Sequence, residues 1–192
     1  MSTQAKKMDT KTLALGAILT ALVIVLQLMG SFIRLGMFSI SLVLVPIVVG
    51  AALCGKYIGA WLGFVFGVVV LASGDATAFM AINIPGTIIT VLLKGTLCGL
   101  CAGLIYDLVS KINIYAGVFA AAIICPIVNT GIFILGCLIF FLPTIKEWAG
   151  DQNLINYMIF GLGLLNFPVE LGFNIVLSPV IVRLLSITKK VK

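Results

Sequence analysis

The sequence has no histidine and few charged residues of either sign. Among its 192 residues histidine is absent, and aspartate and glutamate together number only six. Without histidine the chain cannot build Ser-His-Asp or Cys-His nucleophilic sites, HExxH zinc sites or histidine proton relays. It also lacks a glycine-rich phosphate-binding loop, so it is not expected to hydrolyse ATP by itself. These absences argue against an enzyme.

Apolar residues, in contrast, are abundant. They make up 62% of the sequence, against 9% charged residues, and the mean hydropathy is +1.29. A soluble core of this size does not need so much apolar surface. The 20 glycines and six prolines therefore indicate close helix contacts and kinks within lipid. We expect an all-α integral membrane protein.

The five cysteines do not form a recognisable redox or metal site. They lie in or at the ends of apolar segments, where cysteine usually behaves as a small apolar residue. Cys98 and Cys101 form a CxxC pair, but a redox or metal role needs an exposed thiolate and further ligands. We expect no metal and no cofactor.

The lengths of the apolar runs predict six transmembrane helices in one domain, residues 1–192. A span needs about 20 residues to cross roughly 30 Å of hydrocarbon. The second and third runs are short and could form one broken unit, although the turn at Gly55-Lys56 favours a hairpin. The sixth run is too long to be straight, and Pro168 and Pro179 are expected to bend it. After a tail of residues 1–11, the predicted spans are 12–30, 38–53, 57–72, 86–109, 115–141 and 154–185.

The distribution of lysine and arginine predicts that both termini are cytoplasmic, because cytoplasmic loops carry the excess of these residues. In that orientation only Arg34 and Lys146 fall on the outer side, near the acidic Asp75, Glu147 and Asp151. Nine basic residues fall on the inner side: Lys6, Lys7, Lys11, Lys56, Lys111, Arg183, Lys189, Lys190 and Lys192. An even number of spans agrees with this orientation.

Small residues recur every four positions in three predicted spans. The third and fourth spans carry the glycine triples Gly59, Gly63, Gly67 and Gly95, Gly99, Gly103. Each triple forms a smooth helix face that another backbone can approach, and packing within the bundle is the favoured interpretation. In the first span, Ala17 and Ala21 lie beside Gly16. That pair could pack inside the bundle or dock a different subunit.

Polar side chains inside the spans are the best candidates for a ligand site, since each is costly in hydrocarbon. Asn166, Glu170 and Asn174 are spaced four residues apart in the sixth span and so share one helix face. Pro168 opens the backbone beside them. The pattern favours a ligand-facing stripe over a purely structural ladder of hydrogen bonds. Gln27, near the end of the first span, fits an interfacial position equally well.

Further polar residues come from neighbouring segments. Asn129 and Thr130 in the fifth span and Asn83 before the fourth are predicted contributors to the same site. Lys94 lies about a third of the way down the fourth span from its outer end. It could snorkel to the interface, pair with Glu170 or neutralise an anionic substrate. The last two roles are compatible with one another.

The sequence offers a polar binding face but no energy source. Neither half of the chain convincingly repeats the other, which argues against an inverted-repeat secondary transporter. A proton relay would depend on Glu170 almost alone. These observations favour a binding subunit that depends on other proteins for energy. The alternatives are a self-sufficient small secondary transporter or channel, and a structural membrane subunit.

Several stretches, taken in chain order, carry a family resemblance. They are Ala17 and Ala21, the run PIVVGA at 46–51, the run GKYIGA at 55–60 followed by Gly63, and Lys94-Gly95 followed by Gly99, Gly103 and Tyr106. With the predicted six helices, their order and spacing resemble the substrate-binding S component of the energy-coupling-factor (ECF) vitamin transporters of prokaryotes. The resemblance covers nearly the whole chain.

The resemblance implies a role in uptake across the prokaryotic cell membrane. An S component captures a vitamin or vitamin precursor outside and delivers it through a transmembrane coupling subunit powered by two cytoplasmic ATPases. By the same resemblance, Ala17 and Ala21 would contact the coupling subunit, and residues 31–39 would form an outer gate. The expected substrate-binding residues are Asn83, Lys94, Asn129, Thr130, Asn166, Glu170 and Asn174.

The identity of the cargo is constrained by the same residues. Amides together with Lys94 and Glu170 suit a small polar ligand such as pantothenate. Riboflavin, or a pyrimidine or pyridoxine precursor, would also use amide contacts. With two tryptophans and no histidine, the chain lacks the aromatic loops of the thiamine-binding type and the N-terminal histidine of the cobalt and nickel type. We therefore expect pantothenate first.

Overall fold

The computed structural model describes residues 10–30, 34–35, 38–39, 42–158 and 167–190. This part of the chain is helical apart from a two-residue antiparallel ladder that pairs Arg34 with Ser39. The elements are α1 (Thr10–Gly30), β1 (Arg34–Leu35), β2 (Phe38–Ser39), α2 (Leu44–Cys54), α3 (Lys56–Ser73), α4 (Thr77–Met80), α5 (Ile84–Val109), α6 (Ile114–Phe140), α7 (Leu142–Ala149), α8 (Leu154–Asn156) and α9 (Phe167–Lys190).

Within the described residues, five helices are long and apolar enough to cross a membrane. They are α1, α3, α5, α6 and the part of α9 from Phe167 to Ser186. The first four overlap the predicted first, third, fourth and fifth spans. Their length and apolar composition establish an all-α integral membrane protein.

The second predicted span, residues 38–53, is not a full-length helix. Phe38 and Ser39 belong to β2, and α2 has only 11 residues, about 16 Å at the helical rise. Eight of those residues are buried, because α2 packs against α1, α3, α5, α6 and α9. Its continuous apolar sequence therefore reflects a position in the protein core.

The sixth predicted span, residues 154–185, lies partly outside the described residues. Its described parts are helix α8, up to Asn156, and helix α9, from Phe167. Pro168 is the second residue of the described α9, and Pro179 lies in the helix interior. Between α6 and α8 the chain adds α7, which the apolar pattern does not predict. Helix α7 buries Ile145 and Ala149 on one side.

Glycine positions hold α3 and α5 close together. A Cβ atom at Gly63 would overlap the carbonyl oxygen of Gly95, and one at Gly99 would overlap that of Gly59. The two glycine triples thus serve a contact inside the bundle. At the start of α3, Gly55 has φ +95°, a conformation that favours glycine. This residue makes the tight α2–α3 hairpin.

Candidate functional site

The start of α5 is fixed by Asn83 and Pro85. The Asn83 side-chain oxygen accepts a hydrogen bond from the backbone N–H of Gly86 at 2.9 Å, and Pro85 occupies the first turn. Both features favour helix initiation. Asn83 therefore has a capping role. Lys94 lies eleven positions later, about 16 Å along the helix, so Asn83 is remote from it.

Lys94 lies between two aromatic rings in the interior of the bundle. Its Nζ atom is 5.6 Å from the ring centre of Phe66 on α3 and 5.4 Å from that of Phe133 on α6. Such positions stabilise a cation through the ring faces. The ammonium group also interacts electrostatically with Glu170 of α9, and more weakly with Asp75. These contacts hold the charge inside the bundle.

Asn129 approaches the same region from α6. Phe133, one turn after it, contacts Lys94. The thiol of Cys125, one turn before it, interacts with that of Cys98 on α5. Residues four apart share a helix face, so Asn129 lies beside the stretch of α5 between Lys94 and Cys98.

Glu170 and Asn174 contribute from α9, and both are buried. The Asn174 side-chain nitrogen donates to the backbone carbonyl of Glu170 at 2.9 Å, and the Ser178 hydroxyl donates to the carbonyl of Asn174 at 2.8 Å. The polar stripe predicted on this helix therefore faces the bundle interior. Its first predicted member, Asn166, lies outside the described residues.

Three buried polar atoms of these helices have no hydrogen-bond partner among the described residues. They are Thr90 Oγ1 on α5, Asn129 Oδ1 on α6 and Asn174 Oδ1 on α9. The three residues are 4%, 5% and 1% exposed. A buried polar group left unpaired costs about 1–3 kcal/mol. Buried polar atoms are rarely left unpaired in native proteins, so these three are candidates for contacts with a polar ligand.

The structure thus brings together Lys94, Asn129, Glu170 and Asn174, which we call the polar cluster. Thr130 is one position beyond Asn129, a rotation of about 100° around the helix, so it does not share the Asn129 face. Thr90 does not stand out in the sequence. Thr90 lies four residues before Lys94 and so shares its helix face, and this spacing is the one sequence pattern that could have pointed to Thr90 as a site residue.

Comparison with known protein families agrees with this architecture. The family model described as ECF transporter, substrate-specific component matches residues 11–182. The chain belongs to this family. The resemblance to S components is confirmed, and the match extends from α1 into α9. Comparison with curated proteins and with solved structures gives no match.

Membership of the ECF substrate-specific components establishes the general function of the chain. Components of this kind bind the substrate of an ECF importer and act with a coupling subunit and ATPases; they are transport subunits rather than enzymes. The polar cluster is the candidate substrate site, since it combines buried charge with unpaired polar atoms inside a membrane-spanning bundle.

The exposed face of α1 is the candidate contact surface of this ECF component. Ala17 and Ala21 are exposed, whereas Gly16, Leu19 and Val23 on the opposite side are buried. A Cβ atom at Gly16 would lie 3.6 Å from the Ile58 side chain of α3. The alanine pair therefore points away from the described bundle, while Gly16 packs within it.

A second buried polar contact joins the C-terminal ends of α1 and α3. Gln27 is 1% exposed, which excludes a merely interfacial position. Its side-chain nitrogen donates to Asp75 Oδ2 at 2.8 Å, and the Ser73 hydroxyl donates to the same oxygen at 3.2 Å. Because Asp75 also interacts electrostatically with Lys94, this contact borders the polar cluster.

Proposed function

We propose that this chain captures a vitamin or vitamin precursor outside the cell and delivers it through a coupling subunit powered by separate ATPases. The favoured cargo is pantothenate, followed by riboflavin or a pyrimidine or pyridoxine precursor. The observation that carries the proposal is the polar cluster in the interior of an ECF substrate-specific component. In hydrocarbon such a concentration of charged and amide groups is costly and is typical of a functional site.

The chemistry of pantothenate complements the cluster. Its carboxylate would share the Lys94 ammonium with Glu170, and its hydroxyl and amide groups would meet the side chains of Asn129 and Asn174. Glu170 keeps Lys94 compensated when the cargo is absent, because an isolated buried charge is strongly unfavourable. The proposed binding set is Lys94, Asn129, Asn166, Glu170 and Asn174. Asn83 and Thr130 stay predictions, the first at the outer end of α5 and the second one position beyond the Asn129 face.

The proposed topology has six helical segments, both termini in the cytoplasm and the chain in the prokaryotic cell membrane. It is supported by the inner excess of lysine and arginine. In this orientation the C-terminal end of α1 and the first turns of α5 and α9 lie on the outer side. Cargo would then enter past residues 31–39, the proposed gate, and reach Lys94 from the outer end of the bundle.

The coupling subunit is proposed to contact α1 at Ala17 and Ala21. Small side chains on an exposed helix face allow another helix to approach closely within the membrane. On the same helix the opposite side packs against α3, so the exposed face can accept a partner while the bundle stays intact.

The proposal is tested by Ala17→Trp. We expect uptake of labelled pantothenate to be lost when the variant is reconstituted with its coupling subunit and ATPases, because added bulk blocks docking. Pantothenate binding to the isolated variant should stay unchanged. The matched control is Val176→Trp, at a position on α9 that is 72% exposed, where both activities should be retained.

Two outcomes would contradict the proposal. Equal loss of binding and uptake in Ala17→Trp would remove the docking role from this face. Uptake by the chain alone in liposomes under an ion gradient would identify a self-sufficient transporter instead.

A further inference from the structure

We propose that the cargo is recognised through its own hydrogen-bond donors, by Thr90 Oγ1, Asn129 Oδ1 and Asn174 Oδ1, which we call the acceptor trio. The inference rests on the proposed function. It adds Thr90 as a specificity-determining residue, and it defines the cargo as a small molecule that carries several O–H or N–H groups beside an anionic group.

The conformation of Thr90 differs from that of comparable threonines in this chain. In α1 and α5, the hydroxyls of Thr20, Thr87 and Thr96 each donate to the backbone carbonyl four residues earlier, at 2.7, 2.8 and 2.7 Å. That bond is the usual way to satisfy a threonine inside a helix. The Thr90 hydroxyl makes no such bond and has no other partner among the described residues.

The Thr90 side chain, including its hydroxyl, packs against α6. A Cβ atom at Gly136 of α6 would overlap both Oγ1 and Cγ2 of Thr90. Glycine at this position therefore provides the space that the threonine side chain occupies. The hydroxyl lies one helical turn before Lys94 and on the same face of α5.

The two amides of the trio require donors, since an amide oxygen can only accept a hydrogen bond. In Asn174 the side-chain nitrogen already donates to the carbonyl of Glu170, and this bond fixes the orientation of the amide. Its oxygen is then left for another partner. A ligand that supplies donors to Asn129 and Asn174 would remove the cost of burying both oxygens.

The charge beside the trio restricts the cargo further. Lys94 interacts electrostatically with Glu170, which stands one turn from Asn174. An anionic group of the cargo can share the Lys94 ammonium with Glu170, as proposed for the pantothenate carboxylate. Hydroxylated or amide-bearing carboxylates satisfy both requirements.

The test compares Thr90→Val with Thr87→Val, which is the matched control. Both threonines are buried in α5, but only the Thr87 hydroxyl is satisfied by its own helix. Thr90→Val should raise the pantothenate Kd by about tenfold, because one buried hydrogen bond to the ligand is lost. The unfolding temperature of the cargo-free Thr90→Val variant should equal or exceed that of the wild type.

The controls should bind normally. Thr87→Val should keep the wild-type Kd for pantothenate, and Thr90→Ser, which retains the hydroxyl, should also bind pantothenate like the wild type.

The inference is overturned if Thr90→Val binds pantothenate as tightly as the wild type, or if it unfolds at a lower temperature without cargo. The first result would show that the hydroxyl does not contact the cargo, and the second would show that it has a structural role. A failure of the proposed function would give a different experimental result. If the wild-type protein binds neither pantothenate, riboflavin nor pyridoxine, the vitamin proposal fails, and the unfolding temperatures of the cargo-free variants still decide the role of Thr90.

Discussion

Lys94 is the residue on which the energetics of the polar cluster depend most. An ammonium group inside a membrane-spanning bundle is expensive unless other groups compensate it. Here the compensation comes from the ring faces of Phe66 and Phe133 and from the carboxylate of Glu170. The same ammonium is the one group of the cluster that can attract an anionic cargo. Stability and the proposed binding therefore depend on the same side chain.

Replacing Lys94 with methionine separates these two roles. Lys94→Met keeps the length of the side chain but leaves the buried Glu170 carboxylate without this cation. We expect a loss of about 1–3 kcal/mol in the free energy of unfolding, below the cost at a fully buried pair because Lys94 is only half-buried. The pantothenate Kd should rise at least about tenfold. Thermal unfolding and equilibrium binding in detergent measure the two effects.

The second variant in this comparison is Lys94→Met combined with Glu170→Gln. Removal of both charges should recover most of the stability but not the binding. Lys111→Met, in the exposed turn after α5, is the control and should change neither. Recovery of binding in the double variant would rule out Lys94 as a ligand contact.

At the scale of the helices, the contact between α3 and α5 determines where the polar cluster stands. Gly63 and Gly95 meet backbone to backbone, and Gly67 meets α5 in the same way, with a Cβ atom there 2.9 Å from the Val91 carbonyl oxygen. This close approach brings Phe66 of α3 next to Lys94. The glycine spacing thus places the Phe66 ring next to the Lys94 ammonium group.

Gly63→Ala tests this contact. The added methyl group overlaps the Gly95 carbonyl and can be accommodated only if the helices move apart. We expect a loss of about 1–3 kcal/mol in stability, measured as a lower unfolding temperature in detergent. Gly131→Ala is the control, since a Cβ atom there meets nothing within 4 Å. It should raise stability by up to about 1 kcal/mol through helix propensity. Equal shifts in the two variants would contradict a close α3–α5 contact.

The helices show where sequence patterns suffice and where they do not. Length and hydropathy locate α1, α3, α5 and α6, because a long apolar run bounded by polar residues has few other solutions in lipid. Residues 38–53 are equally apolar for a different reason, namely that α2 is surrounded by other helices. Composition alone does not distinguish burial in protein from burial in lipid.

Sequence patterns likewise predict only part of the candidate site. Glu170, Asn174 and Lys94 stand out because charged and amide groups are rare in apolar runs. Thr90 does not, since a threonine inside a helix normally satisfies its own hydroxyl, and only the side-chain conformation reveals that this one does not. Gln27 is likewise ambiguous until its partner Asp75, 48 positions away, is known.

At the scale of the whole molecule, the proposed binding site and the proposed docking face occupy different parts of the fold. The polar cluster lies among α5, α6 and α9, whereas the exposed alanines lie on α1. Helix α1 nevertheless reaches the border of the cluster through the bond between Gln27 and Asp75. The proposed docking face on α1 would allow the subunit to hold its cargo inside the bundle while its partner contacts only the surface.

The interior of this ECF substrate-specific component is proposed to hold a vitamin or vitamin precursor. The most direct test is mass spectrometry of the small molecules released when the detergent-purified protein, taken from cells grown in rich medium, is denatured. We expect one vitamin or precursor in a stoichiometric amount, with pantothenate favoured. A protein that releases no small molecule and also fails to co-purify with a coupling module would contradict the claim and favour a structural membrane subunit.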